Sequence, residues 1–379
     1  MHTLIDVPPG LNNVAVADTA IGSVDGDAGF YHYRQYDATE LARTRSLEDV
    51  WCLLDTGTLP TGRPSPVDRS VPAELDQLID AVARTAAAPL AQLRTVLSAC
   101  APALGLRPML DLSEAERREQ ARRVAAIVPG VLARLYRSGR GLAAVVPDAG
   151  AGHAAAYLQA VTGVVPSAAH ARALEQYLIL TVDHGFNAST FTGRVVASTG
   201  ADLADVVCSA IGALAGPLHG GAPSRALDAL DAIGTPDRAR DWVRGEVAAG
   251  RRIMGFGHAV YRAPDPRSGL LREVAESLGG PLVEQAIAIE TEILTTLAEL
   301  KPDRPLPSNV EFYAGVIMAT VGLPREMFTP TFAVSRVIGW VTHALEQAAA
   351  GKLIRPRAHF IGHPEPPHRL SGVDPPRRS

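Results

Sequence analysis

The chain has 379 residues, 47% apolar and 20% charged, with 36 basic against 40 acidic side chains. That balance describes a folded protein with a sizeable core and excludes global disorder, which needs low hydrophobicity and high net charge. A net charge of −4 argues against a broad basic face for nucleic acid, and no run reaches the ~18–20 apolar residues that span a bilayer.

The start, MHTLIDVPPGLNN, has neither the charged nor the apolar region of an export signal. Cys52, Cys100 and Cys208 are odd in number and far apart, which points to a reducing cytoplasm and away from a disulfide framework or cysteine-bound zinc. The first pattern is a minor β element, in which GFYHYRQY (29–36) is expected to pair with NVAVADTAI (13–21). Helical spacing then takes over, at 73–100, 114–138, 166–184, 200–215, 223–232, 237–249, 281–300 and 329–350. The chain is therefore mostly α. Breaker-rich stretches lie at 56–72, 146–152, 216–224 and 301–308. Thr329 reads as an N-cap, with Pro330 after it and Gly351 as the stop. The last seventeen residues hold five prolines and read as a loose tail, 363–379.

Two motifs carry little. Gly150-x-Gly152-x-x-Ala155 is a degenerate dinucleotide fingerprint, but its flanks are helical rather than a strand–turn–helix unit. His359 and His363 have metal-ligand spacing only on a helix, which Gly362 and Pro364 disfavour.

Five other segments place polar residues where packing alone does not. GPLHGGA puts His219 between glycines after an apolar helix, where a backbone can approach a ligand; a helix-terminating loop is the plain alternative. RRIMGFGHAVYRAPDPR carries Gly255, Phe256, Gly257, His258, Arg262 and Arg267, with four Arg in seventeen residues, a composition for an anionic ligand or a solvated loop. PSNVEFYAG sets Glu311 at the start of an apolar run, where compensation of the helix dipole is the plain role. FAVSRVIGW surrounds Arg336 with apolar neighbours, so it needs a counter-charge or must snorkel to solvent. Arg355 lies just past that helix. Two histidines, one carboxylate and several arginines, with neither metal ligands nor a Ser or Cys nucleophile, suit proton abstraction beside a carbonyl and addition to a second carbonyl.

At these residues the chain resembles the citrate synthase family. GPLHGGA, IMGFGHAVYRAPDPR, NVEFYAG…FTPTFAVSRVIGW…LEQ…GKLIRP, DHGFNASTFTGRVVAST and GLNNVAVADTAI…YRQY all stand in family order, with 60–150 and the tail weakest. The likeness is greatest to the short, second-type members of actinobacteria. It implies a mostly helical homodimer, with a large domain of 1–219 and 326–379 and a small domain of 220–325 that closes over the substrates. It implies condensation of acetyl-CoA with oxaloacetate and water, with 2-methylcitrate synthesis from propionyl-CoA or a non-catalytic binder as alternatives. By resemblance, His219 stabilises the acetyl-CoA enol, His258 acts on the oxaloacetate carbonyl and Glu311 is the base. His184, Arg267 and Arg336 bind oxaloacetate, with Ser189 behind the imidazoles, and Arg355 serves the partner subunit's site. Gly255, Phe256, Gly257 and Arg262 match the CoA-binding loop. No metal or other cofactor is implied, nor any nucleic acid or membrane. Glu311 departs from the usual Asp, Gly185 from a frequent Glu, Pro223 from Asn and Gln35 from Gly.

Overall fold

A computed structural model describes residues 4–62, 64, 67–216, 219, 222–258 and 260–362; of residues 222–225 it describes the backbone alone. The expected tail, 363–379 with His363, lies outside the described residues, as do four neighbours of His219. The described chain holds sixteen α-helices and one small antiparallel sheet.

The sheet is built from β1 (Gly22–Asp25), β2 (Phe30–Tyr33) and β3 (Tyr36–Asp37), in that order. β2 pairs with 22–25, register Gly22 with Tyr33, and not with 13–21 as expected. The turn decides this: Asp25 Oδ1 accepts the N–H groups of Asp27 and Ala28, and Gly29 takes a φ of +64°. The hairpin is thereby fixed locally, one segment later than the alternation suggests.

The helices follow as α1 (Ala38–Thr44), α2 (Leu47–Thr56), α3 (Asp76–Ala83), α4 (Pro89–Ser98), α5 (Ala101–Leu104), α6 (Glu114–Ser138), α7 (His153–Thr162) and α8 (Ala168–Thr181). Next come α9 (Ala188–Ala197), α10 (Leu203–Leu214), α11 (Ala222–Ile233), α12 (Pro236–Ala248), α13 (Pro266–Leu278), α14 (Pro281–Leu300), α15 (Val310–Thr320) and α16 (Phe328–Ala350). No helix among the described residues is long and apolar enough to cross a membrane.

Capping chemistry sets the ends. Ser113 and Glu116 form a capping box that starts α6, and Ser46 with Asp49 does the same for α2. Gly351, at φ +62°, stops α16 as expected, but Thr329 does not cap it. A 3₁₀ turn at Arg325–Met327 leads directly into Phe328, so Pro330 falls inside the first turn, where its missing N–H still costs nothing.

Contacts divide the chain into two units. The described residues up to Ala17, together with those from Ile354 on, form one, in which His359 Nε2 lies 2.6 Å from Asp6. Asp18–Leu353 form the other. Within it α16 is buried nearly all round and packs on α6, α8, α9 and α10, which is the behaviour of a central helix. A second group, α11 to α15, packs among itself and meets the first where α8 touches α13 and α15, α11 touches α16 and α1 touches α13. The boundaries expected at 219/220 and 325/326 fall inside this unit, between the two helix groups.

One buried histidine in this body makes stability depend on pH. His153 opens α7, 2% exposed, with its ring edge-on to Trp51 at 5.6 Å and its backbone N–H donated to Glu48 at 2.7 Å. Burial, then the charge of Arg69, pushes its pKa down to about 3, so it folds neutral. A depressed pKa contributes stability above the unfolded value of 6.5 that is lost as pH falls. At pH 5 the loss from this group is about 2 kcal/mol. The urea midpoint is expected to fall between pH 7 and pH 5, less so in His153→Phe; equal slopes in both proteins would remove His153 as a cause.

Candidate active site

The floor of the site is the segment from the end of α8 to the start of α9, laid on α16. Arg336, 2% exposed, donates from Nε to the Thr181 carbonyl at 2.8 Å, and its guanidinium stacks over Phe332 at 4.5 Å. Gly339 lets α16 approach, since a Cβ there would lie 2.3 Å from the Val182 carbonyl oxygen. From the hairpin, Tyr33 donates to the carbonyls of Ile179 at 2.8 Å and Asp183 at 3.1 Å, and Tyr31 to that of Leu180 at 3.1 Å.

Above it stand His184, His258, Tyr261 and Arg267. His184 Nε2 lies 2.9 Å from the Tyr261 hydroxyl, and its ring is 5.9 Å from that of His258. His258 Nδ1 accepts the backbone N–H groups of Val260 and Tyr261, each at 3.0 Å. An imidazole that accepts at Nδ1 carries its proton on Nε2. Arg267 Nη2, which has only donors to offer, lies 3.2 Å from that Nε2, so N–H groups face both ring nitrogens, and a proton on Nε2 requires Arg267 to turn its N–H elsewhere. Arg267 is 3% exposed and held by Asp265 through Nε and Nη2, both at 2.9 Å. Burial penalises that guanidinium, but Asp265 outweighs it and raises its pKa. Burial also raises Asp265, and Arg267 outweighs that and lowers it. Burial, then Arg267, pushes His258 down to about 4; burial, Arg267, Arg336 and His258 push His184 well below its usual value. Both imidazoles are neutral among fixed cations.

His219 forms the second element. Its Nε2 lies 2.8 Å from Ser189 Oγ, which donates to Asn187 Oδ1 at 2.8 Å and accepts Trp340 Nε1–H at 3.2 Å. With its one proton on Asn187, Ser189 takes Nε2–H from His219, which leaves Nδ1 without a proton. A donor at Nδ1 requires the Ser189 proton to turn from Asn187 to His219 Nε2, so that the imidazole carries its own on Nδ1. Burial, then Arg336, pushes His219 down to about 4, so it too is a neutral group.

Glu311 stands in the first turn of α15, half-buried, its N–H bonded to Asn309 Oδ1 at 3.0 Å. The stretch before it is clamped to the His258 loop. Gly257 N–H bonds the Pro307 carbonyl at 2.7 Å, Asn309 N–H bonds the Gly255 carbonyl at 2.9 Å, and Asn309 Nδ2 reaches the Gly257 carbonyl at 2.8 Å. Asp265 also accepts Val310 N–H at 3.2 Å, so one carboxylate ties Arg267 to the start of α15. Both loop glycines need their geometry: φ is +87° at Gly255 and +76° at Gly257, where a Cβ would lie 2.9 Å from Leu306.

Of the residues singled out in the sequence, His184, His258 and Arg267 are in one cluster. Arg336 is near enough for its charge to lower both His184 and His219, and Tyr177 feels both Arg336 and Glu311. Phe256 packs on Phe312 with ring centres 5.3 Å apart, and Arg262 is exposed with its N–H on the Gly26 carbonyl at 2.8 Å. Arg355 is exposed and belongs to the terminal unit. Sequence reasoning missed Tyr31, Tyr261 and Asp265. The APDPR stretch held a signal for Asp265, since Asp before Pro is a helix cap, and it does cap α13 through Arg267 N–H.

Guanidiniums and neutral N–H donors gathered on the floor of a helical body define a site for a small, oxygen-rich anion, with no strand preceding Gly150–Gly152 among the described residues. Comparison with known proteins carries this further. The model of the citrate synthase C-terminal domain matches residues 10–357. The chain is 38% identical over 372 residues to "Putative citrate synthase 2" of Mycobacterium tuberculosis, covering 96% of this chain and 95% of that one. It is 37% identical to "2-methylcitrate synthase" of the same species, covering 94% and 91%. The crystal structure of a Thermoplasma acidophilum citrate synthase, in ternary complex with carboxymethyl coenzyme A and oxaloacetate, superposes with a TM-score of 0.87 at 27% identity, covering 96% and 98%. The protein belongs to the citrate synthase family and is an enzyme of that family.

Proposed function

We propose that this chain condenses acetyl-CoA with oxaloacetate and water to give citrate and free CoA. Arg267, Arg336 and His184 hold the two carboxylates of oxaloacetate, and His258 Nε2–H donates to its ketone oxygen. Glu311 takes a proton from the acetyl methyl group while His219 Nδ1–H donates to the thioester oxygen, so the enol forms without a free carbanion. The enol carbon then attacks the polarised ketone carbon, whose oxygen takes up a proton, and water cleaves the resulting thioester to release CoA. Neutral imidazoles suit both donor roles, because a donor that starts neutral does not protonate the base beside it. The observation that carries this reading is the gathering of His184, His258 and Arg267, the two rings 5.9 Å apart and Arg267 Nη2 3.2 Å from His258 Nε2.

The helix group α11–α15 closes on the rest to exclude water from the enol, as a small domain of 220–325. The CoA moiety lies along Phe256, Gly257 and Arg262; the backbone groups of Gly255 and Gly257 named above are engaged with 307–309. The enzyme acts in the cytoplasm as a homodimer, in which Arg355 reaches the partner's site. Thiol release from acetyl-CoA and from propionyl-CoA, each with and without oxaloacetate, tests the reaction. Oxaloacetate-dependent release is expected, faster with acetyl-CoA. One methylene is worth only about 1–3 kcal/mol, so a reversal of that order would make the product 2-methylcitrate. Binding of both substrates without any thiol release would reduce the chain to a binder.

A further inference from the structure

The turn that presents His184 is held from beneath by side chains that take no part in the reaction above. Arg194, on α9, is 1% exposed. Its Nη1 donates to Glu346 at 2.5 Å and lies 3.1 Å from His343 Nδ1, and its Nε donates to Gln347 at 3.0 Å. His343, on α16 and 1% exposed, has its Nε2 3.2 Å from Asp183 Oδ1. A guanidinium offers only donors, so His343 Nδ1 must be the acceptor and Nε2 must carry the proton to Asp183. The other oxygen of Asp183 accepts Gly185 N–H at 3.1 Å, and its backbone carbonyl accepts the Tyr33 hydroxyl at 3.1 Å. The residues on both sides of His184 are thus tied to one buried carboxylate. Burial raises that carboxylate's pKa, but His343, Arg336 and the Gly185 N–H outweigh it and keep it lowered.

Spacing on α16 completes the device. Arg336, Gly339 and His343 share one face and meet Thr181, Val182 and Asp183 in register. Arg336 has the substrate to meet in the reaction proposed above; His343 touches only protein groups in the contacts described.

We propose that His343 is a positioning residue: fixed as the Nε2–H tautomer by Arg194, it holds Asp183 and so the 183–185 turn that aims His184 at the bound dicarboxylate. The identity of that ligand rests on the function proposed above; the hold on the turn does not. Two variants separate the two sides of the ring. In His343→Gln an amide N–H stands in for Nε2 and keeps the donor to Asp183. In His343→Asn the amide oxygen stands in for Nδ1 and the donor is lost. His343→Asn is expected to raise the oxaloacetate KM about tenfold or more while the acetyl-CoA KM moves by less than about twofold, and His343→Gln to stay within about threefold on both. A purely structural role would lower the melting temperature of both variants and leave the ratio of the two KM values unmoved. Histidine ¹⁵N NMR of the unliganded protein gives a readout free of turnover. The wild-type His343 ring is expected to be protonated at Nε2, and the His184 signals to shift in His343→Asn but not in His343→Gln. A proton on Nδ1 of His343, unmoved His184 signals in His343→Asn, or an unchanged oxaloacetate KM there overturns the proposal. The wild-type tautomer and His343→Gln keep it refutable if His343→Asn does not fold. Wild-type protein that releases no CoA would sink the proposed reaction, and the NMR result would then decide the positioning on its own.

Discussion

Glu311→Gln is expected to lower the condensation rate by about 10²–10⁴-fold, the contribution of a general base, while oxaloacetate affinity stays close to that of the wild type. The amide has the shape of the carboxylate and cannot take the methyl proton. The fold is barely affected: the bond from residue 311 N–H to Asn309 Oδ1 belongs to the backbone, and loss of the acid near the start of α15 costs about 0.3–1 kcal/mol. Activity and stability therefore part company in this variant. CoA thiol release measures the first and a urea titration the second; turnover within a few-fold of wild type would remove Glu311 as the base. Glu311→Asp asks a separate question, because it pulls the carboxylate back by about an ångström, a displacement that costs up to ~100-fold when nothing compensates. A slower enzyme means that the 307–309 clamp sets α15 for the longer side chain; a faster one means that the extra methylene is a handicap.

How much of this was readable beforehand varies along the chain for identifiable reasons. Helices α6 and α14 have the expected bounds, 114–138 and 281–300, because each is long, periodic and opened by clear chemistry: a Ser–Glu box in one, Gly-Pro in the other. α13 was not among the expected helices, although Pro266 sits at the first helical position with Asp265 as its cap. α1 and α2 are short, and seven or ten residues give periodicity little room to show. The hairpin register followed the Asp25 turn, which outweighed alternation. In the site, the legible residues are those set among glycines or stranded in apolar sequence: His219, His258, Arg336. Asp183, Arg194 and His343 were not legible as a group. Each is an ordinary polar residue in its own segment, and its meaning lies in partners about 150 positions away in the chain.

Removing Arg267 is expected to strike both stability and oxaloacetate binding, and the loss of stability depends on pH. Asp265 is 2% exposed, and its guanidinium partner is the charge that keeps it ionised. Arg267→Leu leaves a buried carboxylate with only the N–H groups of residues 267 and 310 to bond, a change that costs about 3–5 kcal/mol at neutral pH. In the wild type the pKa of Asp265 is lowered, so this pair contributes stability that is present above the unfolded value of 3.8 and lost as pH falls through the folded value. In the variant desolvation has no cation opposing it, so the folded pKa rises above the unfolded one. The carboxyl then takes up a proton on folding, and stability is regained as pH falls. The gap between variant and wild type in urea titrations is therefore expected to narrow from pH 7 to pH 4. The buried histidines lower both proteins alike over that range and cancel in the difference, except that His184 and His258 each lose a neighbouring cation in the variant. A gap that stays constant or widens on acidification would show that Asp265 does not depend on Arg267. Arg267→Lys restores the charge without the two-pronged contact; it recovers most of the stability and little of the oxaloacetate affinity, because an ammonium cannot bond Asp265 through two nitrogens and still face a substrate carboxylate.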